Sequence, residues 1–188
     1  MRRFTKSVVL SFAVLAIVAG LTRATQVLYE SPQKMGEKSV LVVQGRVLGT
    51  HSYWNDTKTK IYTETTVQVD AAHKGTAAAS VTVLQLGGIV DNVRMTVHGA
   101  LHWRPDEEVV VFLEPCTPGT YQVSGFSQGK FNIERDAAGK AFVKWPSLED
   151  VEILGAPSAD GTPRRLDQVP LERFLDEALG VNGKGGSR

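Results

Sequence analysis

The chain has 188 residues, of which 42% are hydrophobic and 22% charged, with one cysteine; that length suits a single domain with its own core. Its 21 Lys and Arg balance 20 Asp and Glu, and four of the basic residues, Arg2, Arg3, Lys6 and Arg23, stand among the first 24 positions, so the remainder is mildly acidic. Beyond them no basic run exceeds the pair Arg164-Arg165, which excludes the clustered basic footprint of a nucleic-acid-binding domain and attraction to an anionic membrane surface.

In chain order, residues 1–24 have the layout of a secretory signal peptide: a positive lead, an uncharged run from Ser7 to Leu21, and small residues in Thr22-Arg23-Ala24. The run is shorter than the ~20 residues a spanning helix needs. Cleavage after Ala24 is expected, with export to the periplasm or the extracellular space and no membrane span left. Residues 25–38 read as a polar lead-in, and 39–145 read as a β-domain. Val40 to Leu48 alternates, with Leu41, Val43, Gly45 and Val47 on one face; the glycine marks a bend. Ile61 to Ala71 alternates over a longer stretch, with Tyr62, Glu64, Thr66, Gln68 and Asp70 on the wet face. Lys74-Gly75 closes it. Val81 to Leu86 and Val90 to Val97 follow, and Val109 to Leu113 is apolar on both faces, the expected most buried strand.

Tyr121 to Phe126, Lys130 to Glu134 and Ala141 to Trp145 complete the strands, with Phe131 and Ile133 inward and Lys130, Asn132 and Glu134 outward. Residues 146–169 are a Pro- and Gly-rich connection, in which Ser147 and Asp150 suit a capped turn. Leu171, Phe174, Leu175, Ala178 and Leu179 then recur at helical spacing over 170–180, between Pro170 and Gly180. Residues 181–188 read as a disordered tail. The pattern predicts a mainly β fold, a small antiparallel OB-like barrel with one C-terminal amphipathic helix.

Several segments hold residue types that carry chemistry. His98 and His102 have the i, i+4 spacing of a helical zinc site, but Gly99 and the strand before it argue against a helix. Asp106, Glu107 and Glu108 read as a solvated turn. Gly125-Phe126-Ser127-Gln128-Gly129 fits the nucleophile-elbow string, yet an elbow joins strand to helix and a strand follows here. No catalytic residue, metal site or cofactor is expected. The lone Cys116 lies in a loop, where it is an inert residue or the bridge of a disulfide-linked dimer. Trp103 and Trp145 are expected to close the barrel ends. The candidate partner-binding residues are Tyr53, Trp54, Asn55 and Tyr62, around a polar hairpin tip; exposed aromatics are enriched at binding hot spots, and the loop joining the first two strands is a binding loop of OB barrels.

The strings VVQGRV at 42–47, IYTETTVQVDAAHKG at 61–75, VTVLQLGG at 81–88 and WRPDEEVVVFL at 103–113 resemble bacterial exported domains of the netrin-like kind, whose OB-type barrel is shared with tissue inhibitors of metalloproteinases. The resemblance implies an OB-like barrel and a binding role. It transfers no activity: those inhibitors clasp zinc with an N-terminal cysteine, whereas the expected mature chain starts at Thr25. The expected function is that of an exported, non-enzymatic module that engages a protein partner. The alternatives are an inhibitor of a secreted peptidase, a subunit of an envelope assembly, and a hydrolase using Ser127 or the His98/His102 pair.

Overall fold

In the long second strand Ile61, Thr63, Thr65 and Val67 are buried while the residues between them are half-buried or exposed, the period-two division of a strand with one face on a core. The computed structural model describes residues 25–145, 151–154 and 169–180. In chain order its elements are β1 (Thr25–Leu28), α1 (Pro32–Lys38), β2 (Leu41–Trp54), β3 (Ile61–Lys74), β4 (Ser80–Leu86), β5 (Gly88–Val90), β6 (Val93–Met95), β7 (Glu108–Pro115), β8 (Tyr121–Val123), β9 (Lys130–Arg135), β10 (Ala141–Lys144), β11 (Val151–Leu154), β12 (Val169–Pro170) and α2 (Leu171–Leu179). The expected signal peptide, capped turn and tail lie outside the described residues.

The main sheet has the order β12-β10-β9-β7-β2-β3-β4-β8, and β8 also pairs with β7. That second pairing closes β7, β2, β3, β4 and β8 into a ring, the strand order of a five-stranded OB barrel. The expected OB-like barrel is therefore present, with one departure from antiparallel pairing: β8 meets β4 in parallel, at the single pair Val83↔Tyr121. Strand β7 has β2 along one edge and shares the other between β9, at Val109–Val111, and β8, at Leu113–Pro115. Strands β9, β10 and β12 thus extend the sheet past the ring.

This branching explains why Val109, Val110, Val111, Phe112 and Leu113 are all fully buried. Alternate residues face two cores. Leu41, Val43, Val67, Val109, Val111 and Leu113 fill the ring. Val42, Val110, Phe112 and Phe131 pack on the other side against Met35 of α1 and Leu171, Phe174 and Leu175 of α2. A fully buried side chain of this kind contributes about 1.5–3 kcal/mol. The predicted stripe of α2 is the face it buries, and Gly180 ends the helix in the left-handed region at φ 68°; Pro170 stands at the cap position just before it.

The polar segment 25–38 carries two elements that its composition hides. Ser31 caps α1 by accepting from the Lys34 amide, and Pro32 starts it. The Lys74 ammonium donates to the Gly36 carbonyl at its end, 2.7 Å away. Gly45 is the bend expected in β2: the ladder to β3 shifts register between Gln44 and Gly45, and a Cβ there would sit 1.9 Å from the Gln68 carbonyl oxygen. Three further expectations change. The single strand expected at Val90 to Val97 is the hairpin β5–β6, because Asp91 and Asn92 adopt φ 48° and 65°, the turn geometry these residues tolerate. Trp145 covers the helix-side core, 5.1 Å from the Phe131 ring and 6.0 Å from Tyr29, rather than a barrel end. Strand β8 stops at Val123, so Ser124–Phe126 belong to a turn.

Candidate functional site

Strands β2 and β3 run on together as a hairpin from Gly49↔Thr66 to Trp54↔Ile61. Alternation divides its residues between two faces. His51, Tyr53, Tyr62 and Glu64 share the outer one. The Tyr53 ring lies 6.0 Å from His51 and 6.4 Å from Tyr62, its cross-strand partner, spacings at which aromatic pairs attract. The Tyr53 hydroxyl donates to Glu64 Oε1 at 3.0 Å. Burial, then this bond to a carboxylate, pushes the Tyr53 phenol above its usual pKa of 10.0. The next strand continues the patch, because Leu84 pairs with Glu64 and Leu86 with Tyr62.

The other two candidate residues do not join that face. Trp54 is half-buried on the opposite side with its partner Ile61. Asn55 organises the tip: its Oδ1 accepts from the amides of Thr59 and Lys60 at 2.8 and 2.9 Å, and its Nδ2 donates to the hydroxyls of Thr57 and Thr59. It is a turn-former of the Asx kind.

Beside the outer face the ring wall opens. Past Val83↔Tyr121 the strands β4 and β8 diverge, leaving a slot of about 410 Å³. Tyr62, Leu84 and Leu86 border it on one side, Glu114, Cys116 and Gln122 on the other, and Val97 and Leu101 form its floor. Sequence reading does not place at this floor the residues that hold it. Gln85 donates to the Leu101 carbonyl (3.1 Å) and accepts from the Trp103 indole (3.0 Å). Ser127 donates to the Gly99 carbonyl at 2.5 Å. Lys130, expected to point outward, is buried: its ammonium pairs with Glu107 at 2.7 Å, donates to the His102 carbonyl at 2.9 Å and lies 4.9 Å from the centre of the Trp103 ring. Burial lowers the Lys130 pKa and the bond to Glu107 opposes that. Its contacts lie more than twenty residues away in sequence, and no local pattern announces them.

The remaining motifs resolve as follows. Gly125–Gly129 is the branch point of the sheet: Phe112 accepts from the Ser124 amide and donates to the Gly129 carbonyl, at 2.8 and 2.9 Å. The chain thereby leaves β8 for β9, and Ser127 is buried with its hydroxyl engaged. Within this turn Phe126 is 52% exposed on the slot's rim and held at φ 68°. The acidic triplet is not a solvated turn. Glu107 takes Lys130 and the Arg104 amide, and Glu108 takes Arg135 and Gln44; only Asp106 is exposed. Hydrogen bonds from Arg135 and Gln44 hold the Glu108 carboxyl below its usual pKa against its burial. His98 and His102 are exposed in a non-helical segment, and among the described residues no group of three His, Cys, Asp or Glu is arranged to hold a metal ion. Cys116 is an exposed free thiol. No described helix is long and apolar enough to cross a membrane. Comparisons with protein-family models, with curated proteins and with solved structures found no match for the chain.

Proposed function

We propose that this chain is an exported, non-enzymatic module of netrin-like type that binds a protein partner in the cell envelope or outside the cell. The observation that carries the reading is the aromatic outer face of the β2–β3 hairpin, where Tyr53 and Tyr62 stand opposite one another and continue into Leu84 and Leu86. Rigid aromatic side chains with a polar handle give contact area at low entropic loss, which is why they anchor interfaces. Tyr62 stands on β3 and the leucines on β4, the second and third strands of the OB ring, whose face is where such barrels take ligands, and Tyr53 stands beside them on β2, the first strand. The mild acidity of the chain after residue 24 favours a protein over nucleic acid.

The test is capture from envelope and secreted fractions of the source organism, with the immobilised chain and with a Tyr53→Ser/Tyr62→Ser variant of equal thermal stability. A protein retained by the first and lost by the second supports the reading. Equal retention by both, or none by either, removes it.

A further inference from the structure

The slot between β4 and β8 has a property that the aromatic face lacks: it is bordered by strand edges. The Gly87 amide donates to Ile61 and the Val69 amide to Ala79, at 2.8 and 2.9 Å. These bonds fix the alternation of the β3–β4 ladder, so that Val81, Val83, Gln85 and Gly87 turn their main-chain groups to β3. Leu84 and Leu86 therefore turn theirs away from β3: the Leu84 amide meets the Tyr121 carbonyl in the Val83↔Tyr121 bridge, and the Leu84 carbonyl and the main-chain groups of Leu86 face the slot. On the other border the Ser124 amide donates to Phe112 and the Cys116 amide to Thr120, at 2.8 and 3.2 Å. By the same alternation Gln122 and Ser124 face β7 and Val123 faces the slot. The ladder between the two strands is the single pair Val83↔Tyr121, and the next pair of that register, Gln85↔Val123, is not formed. An exposed strand edge is a template for another extended chain.

The side chains around the slot define what that chain looks like. Leu84, Leu86, Val97 and Leu101 make the walls and floor apolar, and Glu114, held by the Ser124 hydroxyl at 2.5 Å, is the one carboxylate among the described lining residues, which include no Lys, Arg or His. Phe126 stands over the rim in a left-handed conformation that L-residues adopt at an energetic penalty. Backbone strain of this kind clusters at ligand clamps and binding sites. The volume of about 410 Å³ lies in the ordinary range for ligand sites.

We infer that the slot receives an extended peptide segment of the protein partner, which adds as a strand to the Leu84–Leu86 edge, places an apolar side chain on Val97 and Leu101, and carries no acidic residue at that position. This rests on the protein-binding reading and assigns it a mode, β-strand addition.

The probe is a displayed library of random linear heptapeptides selected on the full chain, the best peptide then being synthesised with each main-chain nitrogen methylated in turn. Strand addition predicts uncharged or basic, alternately apolar sequences, and binding at least tenfold weaker on methylation at every second position only. It also predicts amide shifts at Leu86, Val123 and Phe126. In the chain, Leu86→Pro removes a donor that the β3 ladder does not use, and Phe126→Gly removes the rim aromatic while relieving its backbone; each is expected to lose the peptide at least tenfold with melting unchanged or raised. Should Leu86→Pro fail to fold, Phe126→Gly and the methylation series still decide. Peptides insensitive to methylation, or shifts confined to Tyr53 and Tyr62 or to the β5–β6 hairpin, overturn the inference. A partner captured equally by wild type and Phe126→Gly but lost by Tyr53→Ser/Tyr62→Ser overturns strand addition and leaves the binding module standing; no capture and no selected peptide removes both.

Discussion

The buried pair Lys130–Glu107 is where a single substitution has the most to say, because it joins the barrel's stability to the floor of the slot. The Lys130 side chain is 3% exposed and that of Glu107 14%. Glu107→Gln leaves the ammonium buried with the His102 carbonyl and the Trp103 face as its contacts. Removing one partner of a buried pair costs about 3–5 kcal/mol, and the residual exposure of Glu107 puts the expectation at about 3 kcal/mol. Lys130→Met leaves a carboxylate that still accepts from the Arg104 amide at 3.0 Å and reaches water, so about 1–2 kcal/mol is expected by the same reasoning. The double variant is expected close to wild type, since replacing both members of such a pair is often neutral. The coupling energy in the cycle, the two single losses less the near-zero double one, is then about 4–5 kcal/mol. Urea denaturation of the four proteins measures it, and hydrogen exchange at Ala100–Trp103 is expected to rise in Lys130→Met as the His102 tether is lost. Additive single effects, with coupling below about 0.5 kcal/mol, would refute the placement of Lys130.

Two further outcomes test other parts of the structure. Gly45→Ala drives a methyl group into the Gln68 carbonyl, 1.9 Å from its ideal position; a loss of at least about 2–3 kcal/mol in denaturant midpoint analysis is expected, and a neutral effect would mean that β2 and β3 do not approach so closely there. The Tyr53 phenol, raised above 10.0 by burial and by Glu64, is expected to ionise above its usual value in ultraviolet titration. Its contribution to stability is present below the unfolded-state value near 10 and is lost as pH climbs through the folded-state value; Glu64→Gln lowers that folded value, and an unchanged titration would contradict the Tyr53–Glu64 bond.

Strand β3 was legible residue by residue because its two faces differ chemically along its whole exposed length. The apolar stretch Val109 to Leu113 announced a strand with two covered faces, although only the branching of β7 explains what covers them. Helix α1 was hidden: PQKMGEK holds one large apolar residue, Met35, and the helix depends on the Ser31 cap and on α2 rather than on propensity. The hairpin β5–β6 is hidden because Val93, Met95 and Val97 alternate as one strand does, and the break of that alternation at Asp91-Asn92, where the chain turns in the left-handed region, is only two residues long. Of the candidate site, the facing of Tyr53 and Tyr62 follows from hairpin register and was within reach. The slot was not, since it arises where β4 and β8 part, and its floor is held by Gln85, Ser127 and Lys130 through contacts that only the closed ring creates.

Hydrogen exchange of the chain, alone and bound to a partner captured from the envelope or secreted fraction, tests the central claim most directly. Protection at Tyr53, Tyr62, Leu84 and Leu86, with α1 and α2 unchanged, is the predicted result. Protection confined to α1 and α2, with the outer face of the hairpin and the slot unaltered, would contradict it and place the interface on the helices.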